Sequence, residues 1–364
     1  MRVITAEFDR RLVPFYEIWF SEAPELYIPK MLKNFQASSW WIVTDNQVYT
    51  HVYPLIQHLL PEHHVIVLTS GEAHKQLSSC EEIWDAMHGL KADRKAVIIG
   101  LGGGVVTDIA GFSAACWKRG IPYISIPTSL LGMLDASVGG KTGIDYHDGK
   151  NIIGLFSSPA LVITDPGWLQ TLPAAHIRSG FAEALKHGLI TDASYWSRLS
   201  SSDLSSQAWD YVIYRSMLIK NDIVKQDPDE QWVRKILNFG HSIGHALESV
   251  CLALGKTLLH GDAVALGMMV ESGLSTHFSG LPYPVFQEIS ATIQRFHFPL
   301  PDLDFEDTHI QALFVDALLQ DKKNSGMEVR MALLSNIGVC RHDVVVPVSE
   351  ALNATRALFS QFHG

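Results

Sequence analysis

Cysteine is scarce in this chain: four residues in 364 (Cys80, Cys116, Cys251 and Cys340), none in a CxxC pair. That scatter excludes a disulfide scaffold and reads as small core thiols of a reducing compartment. No apolar run approaches the ~20 residues that a membrane span needs. The N-terminal MRVITAEFDRR lacks the apolar stretch of a signal peptide. A soluble cytoplasmic protein with no membrane partner is expected. Excess positive charge is also absent: 28 Lys and Arg against 38 Asp and Glu give a net charge of −10. This argues against nucleic acid as a partner. It does not argue against an anionic small molecule, because local clusters of Lys and Arg decide such binding. Low-complexity tracts and internal repeats are lacking, and apolar residues make up 47%. A packed core is expected, with length enough for two domains.

What is present is an alternation. WWIVTD (40–45), HVIVLTS (64–70), KAVIIGLGGG (95–104), PYISIPT (122–128) and ALVITDP (160–166) are short β-rich runs, with helical stretches such as Lys75–Leu90 and Val105–Trp117 between them. Such alternation predicts a parallel sheet with helices on its faces. After Asp165 the pattern turns helical, over 174–188, 207–225, 231–252, 261–279 and 307–321. MEVRMALLSNIG (327–338) reads as a late strand or hairpin. The expected organisation is an α/β domain over 1–168 and a mainly α-helical domain over 169–364.

In the first half, GLGGGVVTD (100–108) follows an apolar strand and opens a helix. Glycines there let the backbone approach a pyrophosphate, and the helix N-terminus favours its charge. The spacing is not GxGxxG, so an ordinary Rossmann dehydrogenase is a poor match, and a tight turn with no ligand is the plain alternative. TSGEAHK (69–75) ends another strand, and Asp45 with Asn46 ends a third, suited to a ribose hydroxyl. MLDASVGGKTGIDYHDGKN (133–151) carries Asp135, Lys141, Lys150 and Asn151 beside glycine turns. These are either solvated loop charges or contacts to a phosphate or polyhydroxy substrate.

In the second half, NFGHSIGHALES (238–249) is followed by LLHGD (258–262), and GFAEALKHG (180–188) lies upstream. His241 and His245 are four apart, so on a helix both rings project from one face. With His260 and Glu183 they offer a Glu-and-histidine set that leaves a coordination position open, as a catalytic zinc requires. Surface or satisfied core histidines are the plainer reading of an isolated HxxxH. Ser242 follows His241, so this is not the HExxH of a zinc protease.

Taken together, GGGVVTDIAGF, WKRG, PTSLLGMLDASVGGKTGID, GKNIIG, GFAEALKHG, LNFGHSIGHALE, LHGDAVALGM and DKKNSG resemble the 3-dehydroquinate synthase family, in that order, from about residue 70 to about 338. The family belongs to the sugar phosphate cyclases and is similar in fold to glycerol dehydrogenase and the iron-dependent alcohol dehydrogenases. The resemblance implies a Rossmann-like NAD-binding domain and a helical metal- and substrate-binding domain. It implies metal ligands Glu183, His241 and His260, for zinc or cobalt. It implies NAD contacts at Asp45, Ser70, Gly71, Glu72, Lys75, Gly104, Val105, Val106, Thr107, Asp108, Thr128, Ser129, Asp135, Lys141, Lys150 and the segment Trp168, Leu169, Gln170 and Thr171. A substrate pocket is implied at Arg119, Lys141, Asn151, Lys186, Lys220, Arg234, Asn238, His245 and one of Lys322 and Lys323, with Lys323 preferred. His245 then handles protons without touching the metal, and Arg119 reaches the substrate phosphate of a neighbouring subunit, which implies a homodimer.

The implied reaction converts 3-deoxy-D-arabino-heptulosonate 7-phosphate to 3-dehydroquinate and phosphate, a step of the shikimate pathway toward aromatic amino acids. It proceeds by transient oxidation, phosphate elimination, re-reduction and intramolecular aldol closure. Rival readings are a related cyclase acting on an uncarboxylated sugar phosphate, an amino-dehydroquinate synthase-like cyclase, a metal-dependent NAD alcohol dehydrogenase and a non-catalytic NAD- or metal-binding protein. The chain departs from the family pattern at Ser70 (Asp is usual), Thr107 (Gly) and Asp262 (Glu). DPDEQWVR (227–234) replaces DExExGxR, and the gap from His241 to His260 is longer than expected.

Overall fold

The computed structural model describes residues 2–6, 16–20, 24–147, 149–319 and 327–362. By contacts the chain divides into two compact units, Met1–Ile177 with Trp209–Pro228, and Arg178–Ala208 with Asp229–Gly364. The sequence pattern suggests a single boundary, placed at 168/169. The contact division is discontinuous because the helix Trp209–Gln226 packs against the turn Gly132–Ala136 of the first unit.

In the first unit, strands β1 (Arg2–Ala6), β2 (Tyr16–Phe20), β3 (Trp40–Asp45), β4 (His64–Leu68), β5 (Val97–Gly102), β6 (Tyr123–Pro127) and β9 (Leu161–Thr164) form one sheet in the order β1-β2-β9-β6-β5-β3-β4. Every pairing is parallel except β1 with β2. β5, β6 and β9 are buried along their whole length and β3 along all but its last residue. Continuous Val, Ile and Leu runs are what a strand covered on both faces requires. β4 lies at one edge and is only partly covered. Helices α1 (Pro24–Leu32), α2 (Asn46–His51), α3 (Tyr53–Ile56), α4 (Leu77–Gly89) and α5 (Gly104–Cys116) connect the strands. The core places Ile83 and Met87 of α4 and Val106, Ile109 and Ala110 of α5 with Trp41, Val43 and Ile98 of the sheet. A two-stranded hairpin, β7 (Lys141–Tyr146) with β8 (Gly149–Phe156), stands apart from the main sheet. Its glycine-rich sequence hides the alternation that marks a strand, and it was not expected.

The second unit is mainly helical: α7 (Ala193–Ser200), α9 (His241–Ala253), α10 (His260–Phe278), α11 (Tyr283–Arg295), α12 (Thr308–Leu319) and α13 (Val348–Phe362), with most of α6 (Ala174–Thr191). α8 is the helix Trp209–Gln226 of the first unit. The late hairpin is β10 (Glu328–Asn336) with β11 (Val339–Pro347). The single helix predicted over 231–252 is broken into a 3-10 segment, Val233–Asn238, and α9. Gly240 causes the break by taking φ of +81°, a left-handed conformation that suits glycine. α11 escaped notice because its apolar stripe is thin, burying only Ile289 and Ile293. Among the described residues no helix is long and apolar enough to cross a membrane.

Two glycines set the helix crossings. A Cβ on Gly267 would lie 1.9 Å from the Gly240 carbonyl oxygen, and one on Gly261 would lie 1.8 Å from that of Ser179. Backbone atoms cannot yield as a side-chain tip does, so α10 runs directly against the start of α9 and against α6. Gly267→Ala is expected to destabilise the chain by about 3 kcal/mol, the upper range for overpacking. Denaturant unfolding reads this, and an unchanged midpoint would contradict the close crossing.

Candidate active site

Those crossings bring three side chains together from three helices of the second unit. Glu183 on α6 is fully buried. Its Oε1 lies 3.5 Å from His241 Nε2, at the start of α9, and 3.7 Å from His260 Nε2, at the start of α10. Among the described residues this Oε1 has no hydrogen-bond partner, and a buried unpaired carboxylate oxygen is costly unless something else satisfies it. Both rings are turned the same way. His241 Nδ1 is 3.2 Å from the Phe239 carbonyl oxygen, and His260 Nδ1 is 3.2 Å from Glu248 Oε2. With each Nδ1–H donating, each Nε2 presents its lone pair toward Glu183. A tetrahedral site with bonds of ~2.0–2.1 Å has edges of ~3.3–3.4 Å. The observed separations are close to that, and one carboxylate with two imidazoles suits zinc or cobalt. The donor set therefore fits a divalent metal.

His245 stands at the same place. Its ring centroid is 5.2 Å from that of His241 and 5.7 Å from that of His260. Donor atoms of the three histidines lie within 4.8 Å of one another. Two donor sets thus share His241 and His260, one completed by buried Glu183 and the other by exposed His245. Lys186, one turn along α6, contacts Glu183 Oε2, and both side chains are buried. Arg234 and Asn238 lie on the 3-10 segment that leads into α9, with Arg234 buried. Asn238 Nδ2 donates to Glu230 Oε1 at 2.9 Å.

The first unit gathers a different set at the strand ends. β5 runs into Gly102, Gly103 and Gly104, and α5 begins there with no side-chain cap. A Cβ on Gly103 would sit 3.3 Å from Ser129 Oγ, and one on Gly104 would sit 3.2 Å from Ala136 Cβ. Bare backbone at an uncapped helix start fits the pyrophosphate of a dinucleotide. Thr128 N–H donates to the Gly102 carbonyl, so the β6 end is tied to this cradle. Lys75, buried, donates to Asp108 Oδ2 on α5 and to Asn151 Oδ1 on β8, each at 2.6 Å. Burial alone would lower the Lys75 ammonium, but Asp108 and Glu72 outweigh it and hold it above the usual lysine value. Burial raises the Asp108 carboxyl. Lys220 of α8 bonds Asp135 through both its carboxylate, at 2.7 Å, and its carbonyl, at 2.6 Å. Asp135 sits on a π-helical turn, a distortion frequent at functional sites. Lys141 begins β7 and Lys150 lies on β8. Trp168 to Thr171 fall on a 3-10 turn capped by Asp165.

Other expected residues have plainer surroundings. Asp45 Oδ1 accepts from Gln47 N–H and Val48 N–H, capping α2, so part of its carboxylate serves the fold. Arg119 is exposed, with φ of +71°, beyond the far end of α5 from the glycine cradle. A 13-residue helix spans about 20 Å. Lys322 and Lys323 lie outside the described residues.

The departures from the family pattern are absorbed locally. Ser70 is held by its backbone N–H, which donates to Asn46 Oδ1 at 2.9 Å. Thr107 turns its hydroxyl back to the Gly104 carbonyl inside the first turn of α5. Asp262 faces Arg178 at 3.5 Å. Sequence reasoning passed over Asn46 as a tie between strand ends, and over Glu248 and Glu271. Glu248 falls seven residues after His241, on the same helix face, and that spacing was the available signal.

Comparison with known proteins places both halves of the chain. Residues 65–179 match the 3-dehydroquinate synthase N-terminal family and residues 180–324 the 3-dehydroquinate synthase C-terminal family. The 3-dehydroquinate synthase of Parabacteroides distasonis is 36% identical over 85% of this chain and 88% of its own. That of Bordetella pertussis is 41% identical over 75% of this chain and 76% of its own. Among solved structures, the 2-epi-5-epi-valiolone synthase ValA of Streptomyces hygroscopicus, with NAD+ and Zn2+ bound, superposes with a TM-score of 0.85 at 28% identity, covering 98% of this chain and 99% of that one. With both halves matched in order and such identity across most of its length, the chain belongs to the 3-dehydroquinate synthase family.

Proposed function

We propose that this chain converts 3-deoxy-D-arabino-heptulosonate 7-phosphate to 3-dehydroquinate and phosphate, using NAD and a divalent metal, zinc or cobalt. The observation that carries the reading is the unpaired Glu183 oxygen facing two histidine Nε2 atoms whose Nδ1 atoms are both engaged. When bound, NAD supplies reversible hydride transfer, and the metal acts as a Lewis acid on substrate hydroxyls. Glu183, His241 and His260 would hold the metal, and the Gly102–Gly104 cradle with Lys75 and Asp108 the cofactor. Lys150, Asn151 and the partner subunit's copy of Arg119 would hold the phosphate, since charge-assisted hydrogen bonds to anions are the strong ones. Lys220, Arg234, Asn238 and Lys323 would hold the carboxylate end, and His245, outside the metal set, would move protons. That cationic set argues against a simple alcohol dehydrogenase. The deciding assay follows phosphate release and NADH together, with heptulosonate phosphate as substrate; an amino-substituted analogue turned over faster would favour the amino cyclase.

A homodimer is part of the proposal. Ile152, Leu155 and Phe156 on β8 and Tyr146 on β7 are each about half exposed, and large apolar side chains left open along one hairpin suit an interface. Arg119, far from its own cradle, then serves the partner's site. Arg119→Ala is expected to slow phosphate release at least tenfold, as loss of a charge-assisted contact does, while NAD and zinc still bind. Unchanged release would exclude the shared site, and a monomer by light scattering would exclude the dimer. Cytoplasmic residence fits four cysteines without a disulfide among them.

A further inference from the structure

We infer that Glu271 is a positioning residue for the metal ligand His241. The inference rests on the reading of Glu183, His241 and His260 as a metal set. His241 is the first residue of α9, and the residue before it, Gly240, has no side chain to cap the helix. The start of a helix leaves N–H groups unsatisfied, and here they are met from outside. Glu271 of α10 is fully buried, and its Oε2 accepts from Gly240 N–H at 2.6 Å and its Oε1 from Ile243 N–H at 3.1 Å. One carboxylate from the neighbouring helix therefore brackets His241, bonding the backbone on either side of it.

The backbone of the helix that carries this carboxylate is tied down beside it. The Ser275 hydroxyl, one turn along α10, donates to the Glu271 carbonyl and accepts from Leu334 N–H of β10. Glu271 lies eleven residues after His260 on the same helix, so one rigid element carries the third ligand at its start and the clamp on the second ligand three turns later. The glycine contact between Gly267 and Gly240 brings the helices near; the carboxylate fixes the rotation of the first turn of α9. That rotation decides whether His241 Nε2 faces Glu183. Outer groups that orient a ligand typically contribute 10–100-fold to metal affinity.

The test is zinc affinity, measured by competition with a chelator. It uses the full-length apoprotein at a temperature where circular dichroism shows each variant folded. Glu271→Leu removes both acceptors and is expected to weaken zinc roughly tenfold to a hundredfold. In cobalt-loaded protein the same change should shift the visible absorption, which reports ligand geometry. Glu271→Gln keeps one acceptor and should fall between, and it serves as the readout if the leucine variant does not fold. Ser275→Ala is the control: it loosens the same helix but leaves the carboxylate on α9, and should lower thermal stability without changing zinc affinity. Unchanged zinc affinity in the Glu271 variant that is read, with only stability lost, would make Glu271 a plain helix cap and overturn the inference. Equal weakening by Ser275→Ala would overturn it too, by making the effect general loosening. If the wild-type chain binds no stoichiometric zinc, the metal reading itself fails, an outcome distinct from both.

Discussion

His260→Ala is expected to abolish stoichiometric zinc, whereas His245→Ala keeps the metal and loses turnover. The contrast separates the two donor sets that share His241 and His260. If Glu183 completes the set, removing His260 leaves one imidazole and one carboxylate, and affinity should fall by more than the roughly 10–100-fold that outer groups cost. Removing His245 then leaves the ligands intact and takes away a proton-transfer group, worth about 10²–10⁴-fold in rate. Metal analysis after dialysis reads the first effect, and phosphate release at saturating zinc reads the second. Equal loss of zinc in both variants would show a three-histidine site and assign Glu183 to its contact with Lys186 alone. Glu183→Gln completes the comparison: it keeps the shape, and should lose zinc in the first case and retain it in the second.

The second large effect concerns cofactor economy. Full conversion of substrate is expected with NAD at a small fraction of the substrate concentration, and with no net rise in NADH absorbance. The proposed reaction returns its hydride, so each cofactor serves many turnovers. Asn151, proposed to face the phosphate, and Asp108, proposed to face the cofactor, are bonded by the same lysine, Lys75. NADH appearing one-for-one with product would sink the cyclase reading and favour the dehydrogenase one. Zinc removal by chelation should stop phosphate release, and added zinc should restore it.

Much of this fold is legible in the residue order. β3, β5, β6 and β9 are short apolar runs ending in turn chemistry, and a strand covered on both faces demands that pattern wherever it occurs. The glycine cradle is legible for the same reason: strand, glycines and helix follow one another directly. The hairpin β7–β8 and the break before α9 were not. In the first, glycines interrupt the alternation; in the second, helical periodicity on both sides runs through Gly240, and its left-handed φ follows from the close approach of α10.

The chain order by itself determined the residue types of the site: a glutamate, three histidines, the lysines and the glycines that permit close backbone approach. Which atoms meet was decided by tertiary structure. Glu183, His241 and His260 lie on three helices that converge because Gly261 and Gly267 let α10 touch two backbones at once. Helical spacing alone pairs His241 with His245, since it reports only neighbours on one helix. Nothing in the order says that Glu248 takes His260 Nδ1 or that Glu271 brackets His241. Partner choice among buried polar groups depends on which backbone and side-chain atoms packing leaves within hydrogen-bond reach, and that is fixed only when the helices have crossed.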